Sequence, residues 1–174
     1  MGTTAAYIND VDVSVIAGLA DKIRTEPAKG QTTWTALTEW TGGFKTATYA
    51  RDHAPIHTDE PEKLAGTDTA PNPVELVLAA LGSCLTVGYA AAAAGQGIEL
   101  RSLTVDVTGD LDLRVFLGIT EGHAGYGNIE VTTSIDSDAD EQTLRALHDA
   151  VVKTSPVGHT LEHPVEVQAR VVKL

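Results

Sequence analysis

From Leu76 to Ala94 the chain carries no charged residue, and a helix through this run is apolar on every face. Such a helix must be covered on all sides. Its start is written locally: Asn72 suits the cap, Pro73 the first helical position, and Glu75, three residues on, completes a capping box. Gly95-Gln96-Gly97 supplies the C-terminal stop. The run nears the length that crosses a bilayer. Against that, it is rich in Ala and Gly, Ser83 and Thr86 interrupt it, and no Lys or Arg cluster flanks it. A buried central helix, shared with a second copy of the chain, fits better than a membrane span. Exposing the whole run would exceed the few hundred Å² of contiguous apolar surface that soluble monomers tolerate. The expected assembly is a two-fold homodimer burying at least roughly 2,000 Å² in total.

Cys84, the chain's one cysteine, falls about three turns into this run, next to Gly82 and Ser83. Little side-chain bulk stands beside the sulfur, so the thiol is a candidate nucleophile. It is equally a candidate small apolar residue, because free cysteines are among the most buried side chains. The helix dipole fades within the first turn and does not activate it. A reactive Cys84 requires a cation brought from elsewhere in the fold.

With 174 residues, 43% of them hydrophobic and 21% charged, the chain suits one folded domain with a real core. Its formal charge of −12 argues against nucleic acid and against anionic membranes. One cysteine excludes an intramolecular disulfide framework and fits a reducing cytoplasm. Met1 to Tyr7 has neither the basic region nor the long apolar core of a leader.

Periodicity organises the rest. Val11 to Ile23 presents an apolar face of helical period, an N-terminal helical appendage over residues 1–30, with the main domain over 31–174. Thr32 to Trp40 reads as a strand, Gly42-Gly43 as a turn into Phe44 to Ala50, and Ile56 to Asp59 as a third short strand. The breaks between Asp59 and Asn72 read as a loop. Leu103, Val105 and Val107 alternate with polar residues, as do Ile129 to Ile135. A short piece of structure is expected near Val115-Phe116-Leu117. Asp138 and Glu141 open a later helix, Ser155-Pro156 breaks it, and Val165, Val167, Ala169 and Val171 predict a last strand. Helices inserted between hairpins define an α+β fold with antiparallel sheets.

Asn72-Pro73-x-Glu75-Leu76 running into Cys84, followed by two strands, a helix and Ser155-Pro156, resembles the OsmC/Ohr superfamily of small, dimeric, thiol-dependent peroxidases. The similarity spans roughly Thr32 to Leu174. It implies an OsmC-like fold: antiparallel sheets from both subunits wrapped around two central helices in an intertwined homodimer, with active sites at the interface. It also implies that Cys84 attacks organic hydroperoxides. The second cysteine of the family precedes a proline after the later helix, and Ser155 holds that position here. A disulfide with Cys84 within one subunit is therefore impossible, and an external thiol must serve as reductant. Two other family features fall differently. Val74 stands where organic-hydroperoxide members carry a glutamate, with Glu75 one position later. The family's arginine near the Gly-Gly turn has as counterparts Arg51, at the far end of the strand, and Lys45.

Cys84, Glu75 and Arg51 are the candidate catalytic residues, with Lys45 the alternative cation. Glu75 is also explained by its cap alone, and Arg51 by a solvated strand end. His53 with His57, and His159 with His163, have metal-like spacing only on a helix, and Pro55 and Pro164 argue against helix at both places. No metal or cofactor is expected. Trp34 and Trp40 are expected in the core or an interface, and Gly122 with Gly125-Tyr126-Gly127 forms no phosphate-binding pattern. The competing reading is a non-catalytic relative that binds a small apolar ligand, with Cys84 lining the pocket.

Overall fold

The computed structural model describes residues 7–173. Met1 to Ala6, read above as lacking leader features, lie outside the described residues. The chain divides into two compact units, Asp12–Ala79 and Tyr7–Val11 with Ala80–Leu174. The mixture of helices and antiparallel sheets is the α+β architecture the sequence predicts.

In the first unit, helix α1 spans Val13–Thr25 and is capped by Asp12, whose carboxylate accepts from Ser14 N–H. It buries none of its residues. The paired strands β1 (Tyr7–Ile8) and β2 (Val11–Asp12) lead into it. Strands β3 (Leu37–Gly42), β4 (Lys45–Tyr49) and β5 (Ile56–Thr58) form one antiparallel sheet in that order. β3 begins at Leu37 and not at Thr32, because Leu37 pairs with Tyr49, the last residue of β4, and earlier residues have no ladder partner. Trp34 and Trp40 are both 75% exposed, which corrects the core expectation; Trp40 lends its indole N–H to Gly43 O, and Arg51 sits 6.0 Å over the Trp34 ring.

The loop between β5 and the long helix closes on Asp59. This carboxylate is buried and accepts from the hydroxyls and backbone N–H groups of Thr67 and Thr69 and from Glu60 N–H. The Thr67 hydroxyl leads these donors in holding the carboxyl well below the usual aspartate range, against the upward push of burial. A depressed native pKa contributes stability above the unfolded value and loses it as pH falls through the native one. Asp59→Asn removes that contribution and turns an amide N–H₂ toward donors. The variant is expected to melt several degrees lower at pH 7 and to lose part of the wild type's destabilisation in strong acid, both read by thermal melts.

Helix α2 runs Pro73–Gln96. Its capping box is formed: Glu75 N–H donates to Asn72 Oδ1 at 2.9 Å, and Asn72 N–H to Glu75 Oε2 at 2.8 Å. At the far end Gly97, at φ +73°, closes a Schellman turn in which Ile98 N–H reaches Ala93 O and Gly97 N–H reaches Ala94 O. The helix is long and apolar enough, by length and composition, to cross a membrane, with mean hydropathy 1.8 over its most apolar window.

In the second unit, β6 (Ser102–Leu111) and β7 (Tyr126–Asp136) form an antiparallel hairpin, with short helix α3 (Leu113–Phe116) in the connection. Leu103, Val105 and Val107 of β6 and Ile129 and Ile135 of β7 pack on a core of Leu81, Leu85, Tyr89 and Ala93 from α2. Helix α4 (Glu141–Thr154) adds Leu147 and Val151, and α5 (Pro156–Glu162) follows at once. The cap that opens α4 is Asp140, bonded to Thr143 N–H, which corrects the expected Asp138; that carboxylate instead accepts from Arg101. α2 and α4 touch closely at Gly88, where a Cβ would stand 2.9 Å from Val151 Cγ1. Within this unit, Asn9 of the Tyr7–Val11 segment donates to Ile98 O and accepts from Leu100 N–H.

One expectation is corrected here. Residues 164–173 form no strand; Val165, Val167 and Val171 stand exposed. Their alternation is a strand pattern, but a strand exists only where a ladder partner accepts its N–H and C=O groups. Helix α2 is not covered on all sides within one chain, as the apolar run predicts. Leu81, Leu85, Tyr89 and Ala93 are buried along one stripe, while Ala79, Ser83 and Val87 lie open along the other, Val87 at 68%.

Candidate active site

Cys84 sits midway along α2, between the core residues Leu81 and Leu85, and is half-buried. Its sulfur accepts a hydrogen bond from the Ser155 hydroxyl at 3.4 Å. Ser155 is the residue between α4 and α5. Its N–H donates to Val152 O as α4 ends, and its Oγ accepts from Gly158 N–H at 3.1 Å as α5 begins. Pro156 occupies the first position of the new helix, where its missing N–H costs nothing. The Ser-Pro step expected to end a helix therefore also starts one, and the junction holds the hydroxyl against the thiol.

Gly82 does not clear a path to the sulfur as its position in sequence implies. It faces the sheet, where a Cβ would stand 3.4 Å from Val107 Cγ2. Beside Ser155 opens a cleft of about 510 Å³ whose wall includes Leu81, Leu85, Val152, Leu161, His148 and Glu162. This lining is mostly apolar, with Tyr126, His148 and Glu162 as its titratable side chains. Cys84 is not part of the wall; Ser155 connects the two.

Glu75 belongs to the capping box, its Oε2 taken up by Asn72 N–H, two and a half turns before Cys84 along the same helix. Arg51 lies in the turn after β4, at φ +53°, with its guanidinium over Trp34, and Lys45 opens β4. His159 is on a helix after all, because Pro156 occupies the first position of α5 and Pro164 lies past its last residue. The His159 and His163 rings stack at 5.2 Å. One nitrogen of each is bonded to a backbone carbonyl, and no metal-binding cluster exists among the described residues.

Tyr89 is a buried polar group on the α2 core stripe that the sequence does not mark. Tyr89 is fully buried, and its hydroxyl lies between Thr133 Oγ, at 3.3 Å, and His148 Nδ1. Tyr89, His148 and Thr133 come from α2, α4 and β7, and no spacing along the chain links them. The one available signal was Tyr89 recurring at i+4 and i+8 behind Leu85 and Leu81 on the core stripe, which reports burial and not its partners.

The second unit thus presents a helix-borne thiol, half-buried on a two-stranded sheet and met by a capping hydroxyl. That defines a class: a single-thiol α+β protein whose sulfur is held by a neighbouring helix junction. Residues 66–170, more than half of the chain, match the family described as OsmC-like protein, and the chain belongs to that family. Its fold is similar to that of an OsmC-like protein from Mycoplasma pneumoniae, at 20% identity and a TM-score of 0.67, covering 76% of this chain and 89% of that one. It is also similar to an organic hydroperoxide resistance protein OsmC from Legionella pneumophila, at 18% identity and a TM-score of 0.58, covering 75% and 89%. A third likeness is to an organic hydroperoxide resistance protein from Elizabethkingia anophelis, at 17% identity and a TM-score of 0.57, covering 74% and 87%. At these identities the likeness is one of fold. No curated protein matches the chain.

Proposed function

We propose that this OsmC-like chain is a one-cysteine thiol peroxidase that reduces organic hydroperoxides in oxidative-stress defence. The observation that carries the reading is the half-buried Cys84 thiol, inside the family-matched segment and hydrogen-bonded at its sulfur. The names of the Legionella and Elizabethkingia proteins, both organic hydroperoxide resistance proteins, support the substrate class. The Cys84 thiolate attacks one peroxide oxygen, the O–O bond breaks, and the other oxygen leaves with a proton as an alcohol. Sulfur gives up two electrons and becomes a sulfenic acid. A low-molecular-weight thiol then condenses with it, releasing water, and a second thiol frees Cys84 and carries away the disulfide. Arg51 or Lys45 supplies the cation for the thiolate. Glu75, the other candidate, holds the helix start and shares in the site only through that helix.

The reading includes a cytoplasmic homodimer. The open stripe of α2 at Ala79, Ser83 and Val87 supports a second copy as its cover, as do the unpaired, strand-patterned residues 164–173. The test mixes purified protein with cumene hydroperoxide and a panel of small thiols, and traps sulfenic acid by mass spectrometry. Turnover with Cys84 trapped is expected. An untouched Cys84 and no peroxide loss would instead favour a binder of small apolar ligands in the cleft beside Ser155.

A further inference from the structure

We propose that Ser155 is a positioning residue for Cys84, setting how the sulfur reacts from the place where the family's second cysteine would stand. The inference rests on Cys84 being the reactive thiol of the proposed peroxidase. The side chain is 4% exposed, so water does not compete for its hydroxyl. Gly158 N–H donates to Oγ, which occupies a lone pair and leaves the O–H proton directed at Sγ. The backbone on either side is held by the end of α4 and the start of α5, so the hydroxyl is oriented before any substrate arrives. The titratable groups that share Ser155's cleft are Tyr126 of β7, His148 of α4 and Glu162 of α5. His148 is engaged with Tyr89.

A hydrogen bond donated to sulfur favours its anionic form. It also draws electron density from the nucleophile. The two effects do not cancel: a bond that raises the thiolate fraction tenfold lowers intrinsic nucleophilicity only about threefold, because the Brønsted slope is about 0.4–0.5. At neutral pH the fraction wins and Ser155 speeds attack. Once the pH is high enough that every thiol is ionised, only the lowered nucleophilicity remains, and Ser155 slows attack. The sign of its effect therefore reverses with pH. A side chain that merely caps a helix gives no such reversal.

The experiment follows iodoacetamide alkylation of Cys84 from pH 6 to pH 10.5 by mass spectrometry of the Cys84 peptide, which separates it from lysine alkylation; the chain has no other cysteine. Ser155→Gly and Ser155→Ala remove the hydroxyl, glycine keeping most of the cap preference, and Ser155→Thr restores both hydroxyl and cap. Thermal melts identify which variants are folded. Both hydroxyl-free variants are expected to react about threefold more slowly than wild type near pH 7 and about threefold faster at the alkaline end. The profiles cross, and Ser155→Thr follows the wild type. Hydroxyl-free profiles that overlie the wild type, or that are scaled by one factor at every pH, overturn the proposal. A parallel assay with cumene hydroperoxide separates the two readings. Crossing profiles without peroxide turnover in wild type remove the peroxidase and leave the positioning role; turnover without crossing does the reverse.

Discussion

Cys84→Ser is expected to abolish hydroperoxide reduction, leaving only the slow direct reaction of peroxide with the added thiol. The chain contains no second cysteine to take over. Serine is nearly isosteric, so the core around Leu81 and Leu85 should be undisturbed and the melting temperature should change little. Oxygen at position 84 is a poor nucleophile toward an O–O bond and forms no sulfenic acid, so the step has no substitute. Initial-rate assays with cumene hydroperoxide at several concentrations, alongside thermal melts of both proteins, check this. A variant that retains the wild-type rate assigns the turnover to something other than this sulfur, and one that fails to fold reads out packing and not chemistry.

The second large effect separates the two faces of α2. Leu85 is 4% exposed and packs in the core with Tyr89, Leu147 and Val151, whereas Val87, two residues on, is 68% exposed. Leu85→Asp places a carboxylate among apolar side chains with no partner, and the protein is expected not to fold. Even Leu85→Ala should cost about 2–5 kcal/mol by cavity formation. Val87→Asp changes the open stripe and should leave each chain's own core intact. If a second copy covers that stripe, the charge is buried only in the dimer, and light scattering should show loss of the dimer while the helical circular dichroism survives. A Val87→Asp protein with unchanged mass and stability would place the partner elsewhere. The same comparison bears on the membrane alternative for this helix, since a chain that purifies without detergent as a dimer has its apolar stripe covered by protein.

Elements that depend on neighbours in sequence were legible without a structure. The Asn72–Glu75 box, the Gly97 stop and the alternation in Leu103, Val105 and Val107 each encode hydrogen bonds or faces that close within a few residues. The same holds for α1, whose apolar period extends over Val13–Thr25. Errors fell where the deciding partner is remote. Residues 164–173 carry a strand pattern but find no ladder within the chain, and Thr32 was counted into a strand that starts only where Tyr49 gives Leu37 a partner. Pro156 and Pro164 were read as helix breakers, although proline at a first helical position or just past the last one leaves a helix intact.

The site divides in the same way. Sequence alone determined that one thiol exists and that it rides on a capped apolar helix, because these are facts of composition and short spacing. Tertiary structure decided that Ser155, seventy-one residues away, donates a hydrogen bond to Cys84, that Gly82 faces Val107 and not the thiol, and that Tyr89 meets His148 and Thr133. Those contacts follow from how α4 and the β6–β7 hairpin pack onto α2. That packing is set by the shape of many side chains together, which no single spacing along the chain records.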